Sequence, residues 1–232
     1  MLLTLGPTAR TLPGHVSEHE SGWDWSKVVD DYWRVPAPDV YYLLHRWRDA
    51  RQLRILDLGC GPGRHSLLFA RNGFEVTASD VADSGLDALR AAAREEGLRI
   101  EVVRADARRL PFADQSFDAI LAFQSIYHVD STGMARVIAE IRRVLCPSGE
   151  AFITFISKTA PSFHDGSAAI VDDNVRLKKE EEGTTLPHFY VDRDDLRLLL
   201  GGFEIVLLRQ IEDVMADRSG WHYVVLARPA PR

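Results

Sequence analysis

Residues 55–73, ILDLGCGPGRHSLLFARNG, pass from a leucine-rich apolar run through three alternate glycines into a helical period closed by Gly73. That is strand, turn and helix within one short stretch, and the alternation continues along the chain. EVTAS reads as a second strand ending at Asp80, SGLDALRAAAREEG as an alanine-rich helix, RIEVVRAD as a third strand and SFDAILAFQS as a fourth. The fourth run is almost wholly apolar, which suits a parallel strand covered on both faces at the sheet centre. TGMARVIAEIRRVL then predicts a helix and EAFITFIS a fifth strand; a helix over DRDDLRLLLGG and two late strands, FEIVLLRQ and WHYVVLAR, follow. Strands alternating with helices specify an α/β fold: a doubly wound, mostly parallel, seven-stranded, Rossmann-like sheet. Its ligand lies beyond the carboxyl ends of the strands.

The 232 residues hold one such domain. Residues 1–20 are expected to be a flexible tail. The aromatic and charged stretch from 21 to 50, broken by Pro36 and Pro38, predicts a helical cap of two helices. Residues 51–232 form the main domain, with a polar insert at about 158–190 in which RLKKEEEG reads as a solvated charge run. A net charge of -6 with mixed signs gives no basic surface for a phosphate backbone, so nucleic acid is not an expected partner. No run approaches the roughly 20 apolar residues that span a bilayer, so no membrane association is expected. Cys60 and Cys146 form neither a disulfide framework nor a zinc motif, which points to a cytoplasmic protein; a monomer or homodimer without a metal is expected.

The glycine spacing narrows the ligand. A dinucleotide turn shows Gly-x-Gly-x-x-Gly, whereas here the glycines are Gly59, Gly61 and Gly63. Asp57, two residues before the first, would repel a pyrophosphate and attract an ammonium. Asp80 at the next strand end can accept hydrogen bonds from two ribose hydroxyls. A nucleoside joined to an amino acid satisfies both.

LDLGCGPG, Asp80, RADARRLPFADQSFDAIL and RRVLCPSGE together resemble the class I S-adenosylmethionine-dependent methyltransferases, over about residues 55–156. HFYVDRDDLRLLL and the aromatic N-terminal stretch resemble the small bacterial members that act on small molecules. The resemblance implies S-adenosylmethionine as cofactor. Asp57 and the turn Gly59, Cys60, Gly61 and Gly63 would hold its methionine end, Asp80 and Val81 its ribose, and Asp106 with Ala107 its adenine edge, with Phe123 also against the cofactor. Cys60 would act through its backbone, because nothing nearby in sequence would create a thiolate.

The acceptor side is less constrained. FQSIYH follows the fourth strand, where side chains stand between cofactor and substrate; Tyr127 and His128 can orient a nucleophile or take its proton, as can His188 beyond the insert. Trp23, Tyr32, Trp33, Gln124 and Tyr190 are candidate walls of a small-molecule pocket. The expected function is methyl transfer to an oxygen, nitrogen or other soft nucleophile. The same landmarks fit a non-catalytic sensor or partner subunit that binds S-adenosylmethionine or its product, and a pocket put to non-methylating chemistry.

Overall fold

The computed structural model describes residues 23–28, 31–179, 185–214 and 219–231. The expected tail at 1–20 lies outside them. The central sheet begins with β1 (Arg54–Leu58), β2 (Glu75–Asp80), β3 (Ile100–Arg104), β4 (Phe117–Ala122) and β5 (Leu145–Ser157), all parallel in the order β3-β2-β1-β4-β5. The late strands β9 (Phe203–Val214) and β10 (Ser219–Pro229) complete it, with β10 antiparallel to β5 and β9 on the outside.

Alternation along the strands produces two packed layers. On β1 and β4, Leu56, Leu58, Ile120 and Ala122 join one core with Met134, Val137 and Ile141 of α4 (Ser131–Val144) and Leu196 of α5 (Arg193–Leu199). Ile55, Ala119 and Leu121 join the other, with Leu43 and Trp47 of α1 (Pro38–Asp49) and Phe69 of α2 (Arg64–Arg71). Successive strand side chains point to opposite faces, so each buried strand supplies both layers. The remaining helix, α3 (Asp83–Glu95), packs Leu86 and Leu89 against Ala78 of β2. Helix α1 is tied to β5 by Glu150, which accepts two hydrogen bonds from Arg46 at 2.7 Å and one from Trp47 Nε1 at 3.2 Å.

Two segments differ from the sequence expectation. The first half of the cap is a pair of 3-10 turns, Trp25–Lys27 and Asp31–Arg34, and α1 is its one α-helix among the described residues. Asp24 caps the first turn by accepting from the Ser26 amide, and the segment is held by tryptophan rings set against the glycine turn; short 3-10 pieces suffice for that. The insert contains an antiparallel unit of β6 (Ala169–Ile170), β7 (Val175–Lys179) and β8 (Thr185–Val191), joined to β5 through Ile156–Tyr190 and Ser157–Val191. Residues 176–179 of the charged run are strand, because Val175 and Arg176 turn into the protein, and the rest of the run lies outside the described residues; Arg176 lies 4.0 Å over the Phe163 ring and donates to the Asp172 carbonyl.

Candidate active site

A cavity of about 840 Å³ opens beyond the carboxyl ends of the parallel strands, as the topology requires. One end is the glycine turn. Gly59, Gly61 and Gly63 all have positive φ, at 71°, 52° and 86°. A Cβ on Gly59 would lie 2.3 Å from that of Ser125, so the loops after β1 and β4 meet there at backbone range. Ser125 Oγ closes that contact by donating to the Leu58 carbonyl at 2.7 Å.

Asp80 accepts from the amides of Gly61 and Ala82 at 2.8 and 2.9 Å, joining the turn to the start of α3. It lines the cavity, and burial raises its pKa against the pull of those amides. Asp57 lies underneath, buried and accepting from Ser66 Oγ at 2.5 Å. Burial pushes its pKa up to about 6, with the Asp80 charge adding to the rise and Ser66 and Arg64 opposing it. Arg64, the first residue of α2, also faces the cavity. Its guanidinium sits 5.1 Å from the Tyr32 and Trp33 ring centres and 5.5 Å from Phe123, and its Nη1 donates to the carbonyls of Tyr32 and Val35.

At the other end, the Phe189 amide donates to the Tyr127 carbonyl at 2.8 Å, pinning the loop after β4 to β8. That contact brings His128 and His188 to 4.6 Å between ring centres, with Tyr127 4.8 Å from His128. His222 on β10 joins them, 6.4 Å from Tyr127. Burial lowers the pKa of all three histidines. His128 falls to about 4 and His188 to about 3, with Lys178 adding to both and His128 to His188; Asp213 partly offsets the loss at His222. The acceptor end is therefore lined by neutral imidazoles.

Of the residues expected at the site, Gly59, Cys60, Asp80, Val81, Asp106, Ala107, Phe123, Gln124, Tyr127, His128, His188, Trp23 and Trp33 line this one cavity. Five do not. Asp57 turns beneath the wall to Ser66. Gly61 is covered by Trp25, whose ring would stand 2.5 Å from a Cβ there, and Gly63 packs on Leu89. Tyr32 is 36 % exposed and reaches Gln124 Oε1 from outside at 3.3 Å. Tyr190 is fully buried, its hydroxyl donating to Ser162. The Asp106 carboxylate is held by the Arg108 guanidinium and amide, which also lowers its pKa against the cost of burial. Cys60 has its thiol pKa pushed well up by burial and by Asp57 and Asp80, which removes it as a nucleophile.

Sequence reasoning missed Arg64, Lys178, Trp221 and His222 on the wall. Arg64 carried a signal: a cation at the first position of a helix opposes the helix dipole, so it implies an anion nearby. His222 had none, because its place depends on β10 pairing with β5.

The sheet order, the strand-end cavity and the glycine turn define a Rossmann-like protein of the methyltransferase type. Residues 55–149 match the family described as a methyltransferase domain. The chain is 39% identical over 106 residues to the methyltransferase GfsG of Streptomyces halstedii, covering 44% of this chain and 37% of that protein. It is 29% identical over 160 residues to a ubiquinone biosynthesis O-methyltransferase of Azorhizobium caulinodans, covering 68% of this chain and 61% of that one. It thus spans less than two thirds of the length of either relative. A solved S-adenosylmethionine-dependent methyltransferase structure from Methanosarcina mazei superposes with a TM-score of 0.70 at 25% identity, covering 85% of this chain and 100% of that one. The match over 55–149, these relatives and the shared fold support a class I S-adenosylmethionine-dependent methyltransferase. No helix among the described residues is long and apolar enough to cross a membrane.

Proposed function

We propose that this protein transfers the methyl group of S-adenosylmethionine to an oxygen, nitrogen or other soft nucleophile of a small molecule. The observation that carries this reading is one cavity whose wall joins Asp80 and the glycine turn at one end to Tyr127, His128 and His188 at the other. Such a cavity suits a cofactor and an acceptor side by side; its volume is within the range of small-molecule sites, roughly 300–1,000 Å³.

The residues present fit the cofactor. Asp80 retains acceptor capacity beyond its two amide bonds and suits a ribose diol. Arg64 is a buried cation on the same wall and suits the methionine carboxylate. Close approach of Gly59 to Ser125 leaves a backbone surface against which an amino-acid end can lie. When bound, S-adenosylmethionine supplies a methyl carbon already activated by its sulfonium. The chain has then to align the nucleophile, exclude water and manage a proton. Trp23, Trp25 and Trp33 line the cleft and keep water from it; Ser84 holds the first two by accepting from the Trp25 amide at 3.0 Å and donating to the Trp23 carbonyl, and Trp33 packs edge-on against Trp25. Asp106, Ala107, Val81 and Phe123 would complete the nucleoside side. Two unpaired cysteines support a cytoplasmic setting.

Titration calorimetry tests the cofactor half. Asp80→Ala is expected to weaken S-adenosylmethionine binding about 10- to 100-fold, the worth of one or two hydrogen bonds to a charged group; unchanged affinity removes the ribose assignment. Incubation with methyl-labelled cofactor and a panel of small hydroxyl, amine and thiol compounds tests the transfer. Label on an acceptor supports it, while tight binding with no transfer across the panel would favour a sensor. Displacement at a sulfonium needs no metal, so turnover should persist in chelator; loss restored by magnesium would overturn that.

A further inference from the structure

Among the described residues, the lysine and arginine side chains on the cavity wall are Arg64, Arg104, Arg108, Arg136 and Lys178. Arg64 donates to two backbone carbonyls, Arg104 pairs with Asp83 at 3.4 Å and Arg108 with Asp106 at 2.6 Å. Arg136 is exposed on α4. Lys178 differs from all of these. It is half-buried on β7, and its ammonium makes no hydrogen bond or ion pair among the described residues.

The β7–β8 ladder fixes where that ammonium lies. Lys178 pairs with Leu186 and Arg176 with His188, so Lys178 and His188 are diagonal neighbours on one face of the hairpin, a separation that a long side chain spans. His188 stands 4.6 Å from His128 between ring centres, and the Lys178 charge acts on both rings, reinforcing the neutral form that burial favours. No carboxylate of the wall is free to meet the lysine there. Asp80 binds the amides of Gly61 and Ala82, Asp106 binds Arg108, and Asp130 caps α4 through the Gly133 amide at 2.6 Å. Asp213, 3.5 Å from His222, is off the wall. Asp165 lies within the field of Lys178, but it too is off the wall, exposed and turned to the amide and hydroxyl of Ser167.

Around Lys178 the wall is otherwise apolar, with Ile156, Val175, Leu177, Leu186 and Trp221. A cation partly withdrawn from water without a counter-ion carries a desolvation cost, which a bound anion offsets. An ammonium acceptor would instead bring a second positive charge beside the lysine.

We propose that the molecule methylated at this site carries a carboxylate on an apolar body, and that Lys178 binds that carboxylate. This rests on the methyl-transfer reading above and names the substrate class of that site. Lys178 selects and anchors the acceptor; it exchanges no proton and forms no bond to the methyl group.

Titration calorimetry on the full chain saturated with S-adenosylhomocysteine, which leaves Arg64 to the cofactor, tests this with 2-naphthoate and 2-naphthamide. The two probes share a ring body and differ in charge. The acid is expected to bind about 10- to 100-fold more tightly, the worth of one charge-assisted contact. Lys178→Gln should remove that preference, Lys178→Arg should retain most of it, and Arg136→Gln should leave it in place. Equal affinity for acid and amide in the wild type overturns the proposal, as does failure of 2-naphthoate to bind at millimolar concentration. A preference that survives Lys178→Gln, or disappears with Arg136→Gln, overturns it too. If Lys178→Gln does not fold, nitrogen NMR of the lysine-labelled wild type decides. The Lys178 Nζ resonance should shift with 2-naphthoate and not with 2-naphthamide, and an unmoved resonance overturns the assignment. Failure of S-adenosylhomocysteine to bind would instead strike the methyl-transfer reading; saturation without a preference for the acid would strike this inference only.

Discussion

The two ends of the cavity solve opposite electrostatic problems. At the glycine turn, Asp57 and Asp80 are carboxylates driven toward their neutral forms by burial and held back by amides, Ser66 and Arg64. At the acceptor end, His128, His188 and His222 are driven by the same desolvation toward neutrality from the basic side. Burial always disfavours the charged form, so one cause raises the acids and lowers the bases. The difference is in the compensation. The acids keep partners that stabilise charge, which suits holding a charged ligand. At His128 and His188 the neighbouring charge is Lys178, which reinforces the neutral form that burial favours, while at His222 it is Asp213, which opposes it.

The largest expected effect breaks the turn end alone. Gly59→Ala adds a Cβ 2.3 Å from that of Ser125 at a residue whose φ is +71°. Strain of about 1–3 kcal/mol from the backbone and a similar amount from overpacking should cost about 4 kcal/mol of stability. Urea unfolding reads this, and Gly59→Ala with Ser125→Gly should recover the overpacking part but not the backbone part. A loss below about 1 kcal/mol would mean that the two loops can separate, and with them the support for Asp80.

Acid sets the two ends against each other. His128 and His188 bind protons at about 4 and 3 in the folded protein and near 6.5 when unfolded, so their contribution is complete above about pH 6.5 and is lost as pH falls toward 4. Asp57 binds its proton at about 6 folded and near 3.8 unfolded, so its contribution rises as pH falls across that interval. Two histidines outweigh one carboxylate, so these three groups alone give a loss of about 2 kcal/mol between pH 7 and 5; His65 and His222, lowered by the same burial, add to it and Asp80 opposes it. Urea midpoints across that range test it, and His188→Leu should flatten the profile. A profile already flat in the wild type would remove the neutral-histidine description.

The two ends were also unequally legible. Gly59, Gly61, Gly63 and Asp80 act through local geometry, in which three glycines need positive φ and a strand end places a carboxylate, so the spacing of a single stretch announces them. The histidine group is assembled from the loop after β4, the middle of β8 and the first half of β10, and no local period records that β10 pairs with β5. His128 and His188 were readable as candidates and His222 was not. The insert failed for a related reason. VRLKK in 175–179 carries enough charge to look solvated, yet its backbone pairs with 185–189 and Arg176 buries its guanidinium on Phe163.

Arg64 sharpens the comparison at smaller cost. It is a cation at the start of α2, where the helix dipole opposes it, and it is surrounded by three rings. Arg64→Met keeps much of the apolar stem and removes the charge. S-adenosylmethionine affinity should fall about 10-fold, the loss of one charge-assisted contact worth roughly 1.4 kcal/mol. Calorimetry at two salt concentrations checks this, since the wild type should weaken more with salt than the variant. Equal salt sensitivity would leave Arg64 as a packing residue for Tyr32 and Trp33.

Ser66→Ala carries the smallest expected effect and separates the two carboxylates. Asp57 does not reach the cavity wall, and its hydroxyl donor is Ser66, 2.5 Å away within α2. Removing that donor leaves the Ser66 amide and the field of Arg64 as the remaining influences that favour the charged form. The Asp57 pKa should rise above about 6, and stability at pH 7.5 should fall by about 1 kcal/mol, the net worth of a typical hydrogen bond. That deficit should shrink as pH drops, because a protonated Asp57 no longer needs the donor. Cofactor affinity should stay within about twofold, as Asp80 keeps its amides from Gly61 and Ala82. A tenfold loss of affinity would show Asp57 reaching the ligand through the turn, and would make the turn end one coupled pair of acids.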